Sequence, residues 1–121
     1  MATIPKGPDL CYARGDTVAL SMTFKRNKLG IDLTGFTGLL LSVDSTENPT
    51  NTATQVAQFT GTLDTDPTTG RVEFRPPDQV TSDAYVPGTY FYDVQGVNAD
   101  SEKVTFLKGG SFEIIQDITK A

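Results

Sequence analysis

Five carboxylates in the second half of the sequence are the residues whose type best suits acid–base chemistry. Glycoside hydrolysis needs two carboxyl groups held about 5–10 Å apart across a cleft. No such pair is visible, because only Asp93 lies inside a clear strand pattern, on the face opposite Tyr90 and Tyr92. We therefore expect no catalytic residue in this set, which comprises Asp78, Asp83, Asp93, Asp100 and Glu102.

The other reactive side chains are few. The chain has no His and no Trp, and Cys11 is its single cysteine. His-based triads, His metal sites, cysteine zinc sites, internal disulfides and two-cysteine redox motifs are thereby excluded. The lack of Trp also leaves few platforms on which a sugar ring could stack. We expect a protein with no enzymatic activity and no cofactor, in which Cys11 is an unpaired thiol.

Two short motifs resemble known binding sites, but each also has a simpler structural interpretation. Asp64-Thr65-Asp66 with Gly70 suggests a calcium loop, but a helix–loop–helix site needs Gly at position six and Glu at position twelve. Counted from Asp64, those positions hold Thr69 and Arg75, so we predict an ordinary turn and no metal site. Arg14-Gly15-Asp16 matches the integrin-binding tripeptide, yet it directly precedes a predicted strand, where Gly-Asp is a common entry pair.

The charge distribution argues against nucleic acid as a partner. Of the net charge of −5, residues 1–60 contribute nothing, with five basic and five acidic side chains, whereas residues 61–121 carry five basic and ten acidic ones. An acidic chain has no long-range attraction for a phosphate backbone. The basic run Lys25-Arg26-Asn27-Lys28 is interpreted as a solvated hairpin tip. No apolar run approaches the ~20 residues of a membrane span, so we expect no membrane partner either.

Alternating apolar residues predict an all-β fold. Leu, Ile, Val and Phe make up 30 of 121 residues, which is enough for one modest core. Period-two alternation predicts a strand over 17–25, and further strands are predicted over 37–43, 53–62, 71–75, 89–95, 102–108 and 110–118, with one helical turn within 78–85. Short strands with turn signals every 8–12 residues are typical of a sandwich or barrel. We predict an immunoglobulin-like antiparallel β-sandwich of about seven to eight strands.

The inward-facing residues of the predicted strands define a core, and Tyr90 is predicted to have a structural role at its edge. Immunoglobulin-type sandwiches often place a Tyr at the start of the sixth strand, with its hydroxyl bonded to backbone just upstream. Tyr90, which follows Gly88-Thr89, fits that structural role. The predicted core comprises Val18, Leu20, Met22, Phe24, Leu40, Val72, Phe74, Tyr90, Tyr92, Phe112 and Ile114.

Residues 1–16 are predicted to form an N-terminal arm outside the sandwich, which would occupy residues 17–121. The arm contains apolar side chains too sparse and too interrupted by proline to build a core, and Ile4, Pro5, Leu10 and Tyr12 are its candidate partner contacts. Pro5 and Pro8 lower the entropy cost of ordering an extended segment on binding. We predict a clasp onto a neighbouring subunit, against the alternative of a loose terminus.

The order of several motifs resembles the immunoglobulin-like N-terminal domain of bacteriophage baseplate upper proteins and related phage tail and fibre-attachment modules. The likeness runs over about residues 14–119. The motifs that carry it are Arg14-Gly15-Asp16-Thr17, Ile31-Asp32-Leu33-Thr34-Gly35, Gly70-Arg71-Val72-Glu73-Phe74, Pro87-Gly88-Thr89-Tyr90-Phe91-Tyr92-Asp93-Val94-Gln95, Gly109-Gly110-Ser111-Phe112-Glu113-Ile114 and Asp117-Ile118-Thr119.

The resemblance implies a virion structural protein, made in the bacterial host cytoplasm, that assembles with other phage virion proteins as a symmetric homo-oligomer or in many copies. It implies no catalysis. Baseplate upper proteins continue into a long helical and receptor-facing region, whereas these residues end at Ala121, so we expect an adaptor or accessory role. Capsid decoration or a neck protein is the alternative within this class. A carbohydrate-binding adhesive sandwich is the alternative outside it, and a hydrolase comes third.

Overall fold

Nine β-strands make up most of the computed structural model, which describes residues 6–16, 19–26, 29–47 and 55–116. One short helix, α1 (Gln79–Asp83), and one 3₁₀ turn (Pro67–Thr69) are the helical elements of that part of the chain. The strands are β1 (Leu10–Ala13), β2 (Leu20–Thr23), β3 (Lys25–Arg26), β4 (Leu29–Gly30), β5 (Thr37–Asp44), β6 (Gln55–Leu63), β7 (Arg71–Arg75), β8 (Gly88–Val97) and β9 (Lys103–Ile115). The predicted all-β class is confirmed.

Seven of these strands form one continuous sheet in the order β1-β9-β8-β5-β6-β7-β2, and β3 and β4 form a separate hairpin. All neighbours in the large sheet are antiparallel except β1 and β9, which run parallel. The sheet curls into a half-barrel. Its concave face surrounds the core, which in a sandwich would lie between two facing sheets. Strand twist and the register shifts at Val43/Asp44, Tyr92/Asp93 and Val94/Gln95 supply the bending.

The two strands predicted over 102–108 and 110–118 are one long strand, β9. Gly109 has a φ of 77°, in the left-handed region that glycine tolerates, and the chain continues through it instead of turning back. Strand β8 pairs with β9 along its whole length, from Gly88↔Ile114 to Val97↔Lys103. The Gly109-Gly110 pair is therefore a local bulge within β9. In the sequence it was interpreted as a turn between two strands, because paired glycines are common in turns.

The concave face holds a single hydrophobic core. Alternate residues of the central strands point into it, among them Leu39, Leu41 and Val43 of β5 and Tyr92 and Val94 of β8. Aromatic rings fill much of the volume, and Phe24 stacks on Phe106 with ring centroids 4.8 Å apart. The buried apolar residues are Tyr12, Phe24, Leu33, Leu39, Leu41, Val43, Ala57, Phe59, Val72, Phe74, Tyr85, Tyr92, Val94, Phe106, Phe112 and Ile114.

Most of the predicted core residues lie in this cluster or against it, with two exceptions. Leu40 was predicted to point inward, but it is half-buried on the convex face, because Leu39 and Leu41 on either side of it occupy the core. An unbroken apolar run gives no alternation from which to choose the inward row. Val18 lies outside the described residues. Leu20, Met22 and Tyr90 are partly buried and pack against the cluster.

The predicted boundary between an arm and the domain at residue 16 is wrong for the segment that the structure describes. Leu10–Ala13 forms β1 and pairs with β9 in the register Leu10↔Phe112 to Ala13↔Ile115. Tyr12 is only 3% exposed and packs edge-on against Phe59, with ring centroids 5.0 Å apart. Because four residues are too few to show a period, the sequence gives no strand signal here. The sheet supplies the partner that the pattern could not reveal.

Candidate interaction surfaces

The segment that precedes β1 is fixed to the domain from Gly7 onward. The Tyr92 hydroxyl donates a hydrogen bond to the Pro8 carbonyl oxygen at 2.7 Å. Gly7 is buried against the Tyr92 ring, and a Cβ built on Gly110 would lie 2.9 Å from the Gly7 carbonyl oxygen. Glycine is required at these two positions because two pieces of backbone and an aromatic ring meet there without room for a methyl group.

Tyr12 is therefore unavailable as a clasp contact, whereas Leu10 is only partly buried. Tyr12 is inside the core, and Leu10 packs against it from β1. Both were predicted to contact a partner because their segment was expected to have no place in its own domain. The other two predicted contacts, Ile4 and Pro5, lie outside the described residues.

A buried serine joins the start of the chain to helix α1. The Ser82 side chain is fully buried, and its Oγ donates to the Asp16 carbonyl oxygen at 2.7 Å and accepts from the Gly15 backbone N–H at 3.1 Å. The Tyr12 hydroxyl donates to the same Asp16 carbonyl and lies 2.7 Å from Ser82 Oγ. The Arg14-Gly15-Asp16 tripeptide is thus a turn packed on α1, held by Tyr12 and by Ser82, which the sequence did not single out.

Tyr90 makes the bond expected of a tyrosine corner. Its hydroxyl donates to the Val86 carbonyl oxygen at 2.7 Å, four residues upstream. The ring is partly buried against the core, on the same face of β8 as Tyr92. The bond fixes the path of the chain between α1 and β8.

Three large apolar side chains are exposed at the end of the domain where α1 lies. Val80 is 79% exposed, Val86 62% and Ile115 42%. Hydrogen bonds bring their segments to the same end: Arg14 N–H donates to the Ile115 carbonyl oxygen, and Gly15 N–H donates to the Ser82 carbonyl oxygen. The pairing Gly88↔Ile114 brings the segment after Val86 to the end of β9. We call Val80, Val86 and Ile115 the apolar end.

A small pocket opens on the convex face of the sheet, across β5, β8 and β9. Its volume is about 50 Å³, and its lining includes Ser42, Asp44, Glu47, Phe91, Asp93 and Lys108, which we call the anionic pocket. A cavity needs about 10–15 Å³ of such space for one water-sized group. The pocket therefore admits a small polar head group, such as an ammonium ion on a side chain.

Three carboxylates and one ammonium group give the anionic pocket its charge. Asp44 is 8% exposed, and its Oδ1 accepts from the Thr46 backbone N–H at 2.9 Å. Asp93 Oδ2 accepts from Gln95 Nε2 at 3.3 Å, whereas Asp93 Oδ1 is buried and accepts no hydrogen bond from the residues that the structure describes. Lys108 pairs with Asp93 in the strand register, but no ion pair joins these two described side chains.

The other carboxylates considered for acid–base chemistry are dispersed. Asp78 is the N-cap of α1, where its side chain accepts from the Thr81 backbone N–H at 2.7 Å, and this hydrogen bond lowers the pKa of Asp78. Asp100 and Glu102 lie in the turn after β8, where both backbone N–H groups donate to Asn98 Oδ1. A ten-residue strand is about 30 Å long, so β8 separates this turn from Asp78. The side chain of Asp83 lies outside the described part.

The turn at 64–70 is explained by its own hydrogen bonds. Asp66 caps the 3₁₀ turn, and its Oδ1 accepts from Thr68 Oγ1 at 2.6 Å and from the Thr68 backbone N–H at 3.1 Å. These bonds lower the pKa of Asp66. Across residues 6–16, 19–26, 29–47 and 55–116, no group of three or more His, Cys, Asp or Glu side chains is arranged to hold a metal ion.

Sequence reasoning missed Gly7, Ser82 and the anionic pocket. The two small residues carried no signal of their own, because their importance comes from segments more than 60 residues away along the chain. For the pocket a partial signal existed, since Ser42 and Asp44 interrupt an apolar strand and Asp93 alternates with aromatic residues.

Comparison with known proteins adds no relative. No protein-family model matches the chain, and a search of the curated proteins finds no match. Within the described residues, no helix is long and apolar enough to cross a membrane.

Proposed function

We propose that this chain is a non-catalytic structural module of a bacteriophage particle, an accessory of the tail, baseplate or fibre attachment that is held by protein–protein contacts. The observation that carries the proposal is the apolar end. Val80, Val86 and Ile115 expose large apolar side chains at the same end of the domain, where hydrogen bonds join their segments. Clustered apolar exposure marks interaction sites in folded proteins.

The all-β body supports the same proposal. One curled sheet surrounds one aromatic core, the Ser82 hydrogen bond ties α1 to the turn after β1, and the Tyr90 hydrogen bond ties the segment after α1 to β8. Interfaces gain affinity when the contacting surface is already ordered before binding. The motif order that resembles phage tail modules supplies the class of partner, namely other virion proteins.

Capsid decoration or a neck protein is the alternative within the virion class, and the apolar end serves it equally well. A carbohydrate-binding adhesive domain is the alternative outside that class. The anionic pocket favours it little, because one exposed lysine and three carboxylates beside Phe91 do not form an aromatic platform for a sugar ring.

The decisive experiment locates the protein in the particle and then alters the apolar end. Cryo-electron microscopy of particles that carry the tagged chain is expected to place it on the tail or baseplate. The double variant Val80→Asp/Val86→Asp is expected to fold and to lose incorporation, because two charges would be buried in the contact. Thr62→Asp, at an exposed position of β6, is the matched control and should incorporate normally.

Two outcomes contradict the proposal. If no particle contains the chain while a glycan array shows specific binding, the adhesive alternative replaces it. If the Val80→Asp/Val86→Asp variant incorporates at the level of the unaltered protein, the apolar end is not the attachment surface. Density on the capsid or neck instead of the tail selects the decoration alternative.

A further inference from the structure

The anionic pocket contains a buried carboxylate oxygen that has no hydrogen-bond donor among the described residues. This atom is Asp93 Oδ1, whereas Oδ2 of the same carboxylate accepts from Gln95 Nε2 at 3.3 Å. A buried acceptor without a donor costs free energy, so folded proteins normally satisfy such an atom with a partner. Because Asp93 lines the pocket, a bound molecule can supply the donor.

Two register shifts of the sheet lie at the anionic pocket. One directly precedes Asp93, where the pairing of β8 with β9 passes over Gly109, and the other directly precedes Asp44 in β5. Such bulges interrupt the regular alternation and redirect side chains. Gly109 has no side chain, and a Cβ added to it would lie 3.5 Å from Glu47 Oε1. The space between β9 and the loop after β5 is therefore left by a residue without a side chain.

The charge of the lining favours a cation. Three of the lining side chains are carboxylates, Asp44, Glu47 and Asp93, and one is an ammonium group, Lys108. Asp44 is 8% exposed, so solvent ions screen its charge less than that of a surface carboxylate. Lys108 is exposed and forms no ion pair within the part of the chain that the structure describes. The pocket thus keeps an excess of negative charge.

The available acceptors suit an ammonium group better than a guanidinium group. A guanidinium pairs best with both oxygens of one carboxylate, and Gln95 already occupies Asp93 Oδ2. A lysine ammonium carries three donors that can each meet a separate single acceptor. The pocket volume of about 50 Å³ admits such a head group, and Phe91 offers an apolar wall for its alkyl stem and a ring face for its charge.

We propose that the anionic pocket binds the side chain of a lysine presented by a partner protein. The ammonium group donates to Asp93 Oδ1, the carboxylates of Asp44 and Glu47 supply further opposite charge, and the alkyl stem lies along Phe91. The inference goes beyond the attachment proposed above and does not depend on it, because no residue of the apolar end lines the pocket.

Titration of the purified protein with blocked amino acids, followed by amide NMR, measures this binding. N-acetyl-lysine methylamide is expected to shift the amide signals of Phe91, Asp93 and Lys108 saturably, with a Kd of about 1–10 mM for a single charged contact. Added salt should weaken the binding, because the site is open to solvent ions. The matching norleucine compound, which has an alkyl side chain without the charge, should leave these signals unmoved. The matching arginine compound should bind more weakly than lysine.

Substitutions of opposite expected effect make the test specific to the pocket. Asp93→Asn should weaken binding of the lysine compound by about tenfold or more, because it removes a charge-assisted hydrogen bond. Lys108→Met should strengthen it by about twofold to fivefold, because a like charge leaves the site. Asp100→Asn, at an exposed position in the turn after β8, is the matched control. Thermal unfolding shows whether each variant folds, and Glu47→Gln at the exposed rim replaces Asp93→Asn if that variant does not.

Three results would overturn the inference. They are pocket signals that the lysine compound does not move, an equal response to the norleucine compound, and tighter binding of the arginine compound. Binding that the folded Asp93→Asn or Glu47→Gln variant leaves unchanged would do so as well. A protein that binds lysine at this pocket but never enters particles would leave the inference standing and remove the proposed function alone.

Discussion

Gly7 is the residue at which the N-terminal segment comes closest to the core. A methyl group there would overlap the Tyr92 hydroxyl, which the hydrogen bond to the Pro8 carbonyl oxygen holds in place. We expect Gly7→Ala to lower the free energy of unfolding by about 1–3 kcal/mol, the usual cost of overpacking. Chemical denaturation measures it, with Thr89→Ala on the exposed part of β8 as the control. Equal stability of the two variants would contradict the placement of Gly7.

Two tyrosine hydroxyls make the stability depend on alkaline pH. Burial raises the pKa of Tyr92 and of Tyr85 from 10.0 to about 12. Between these values the unfolded chain has lost protons that the folded chain still holds, so raising the pH favours unfolding. The stability that these two groups contribute is fully present below pH 10 and is lost as the pH rises through about 12.

We expect the urea midpoint of unfolding to fall across that pH range and the tyrosinate absorbance of Tyr85 and Tyr92 to appear late. Tyr85→Phe removes one of the two groups and should make the fall of the urea midpoint shallower. A slope that Tyr85→Phe leaves unchanged would show that its hydroxyl is not protected by the core.

At the scale of elements, substitutions in β1 test whether the N-terminal segment belongs to the domain. Tyr12 points into the core and Cys11, next to it, points to solvent. We expect Tyr12→Ala to cost about 3–5 kcal/mol of unfolding free energy, as for other buried aromatic residues, and Cys11→Ser to cost almost nothing. Thermal or urea denaturation compares the two. Equal effects would indicate that β1 does not pack as described.

Helix α1 is attached to the first turn of the chain mainly through Ser82. Its Oγ serves the Asp16 carbonyl and the Gly15 N–H, and both groups would lose this partner in Ser82→Ala. The Tyr12 hydroxyl and the Ser82 carbonyl oxygen remain as partners of these two groups, so the cost is that of the lost hydrogen bonds, about 0.5–1.5 kcal/mol each. We expect that loss in denaturation, together with faster hydrogen exchange of the Gly15 amide. Thr60→Ala on β6, which is exposed, should change neither quantity.

At the scale of the whole molecule, one core predicts one unfolding transition. The buried cluster includes residues from β1 to β9, so that no described strand of the large sheet has a core of its own. Small domains with a single core usually unfold in two states. Far-ultraviolet circular dichroism, which reports the strands, and tyrosine fluorescence, which reports the core, should give the same midpoint. Separate midpoints would indicate that part of the sheet unfolds independently.

Much of the sheet could be predicted because alternation is a local property. Val72 and Phe74 in β7 and Tyr92 and Val94 in β8 each show their inward row within one strand. The turn chemistry of Asp66 and the helix cap at Asp78 were likewise readable, since a capping side chain acts on backbone two or three residues away. The hydrogen bond of Tyr90 was predictable for the same reason, because its acceptor, the Val86 carbonyl oxygen, lies only four residues upstream.

Long-range packing decided the rest. That one sheet curls instead of two sheets facing each other depends on where the register shifts fall, and nothing within a single strand determines this. The parallel partner of β1 lies about 100 residues further along the chain, so Tyr12 looked unpartnered until the fold placed it beside Phe59.

The apolar end and the anionic pocket arise in the same way. Val80, Val86 and Ile115 come from three segments, and Ser42, Asp93 and Lys108 from three strands. The sequence by itself determined which residues are apolar, which are charged and which alternate, because those are properties of each residue and its neighbours. Only the tertiary structure decided which of them share a surface, since sheet order brings together residues that the chain keeps far apart.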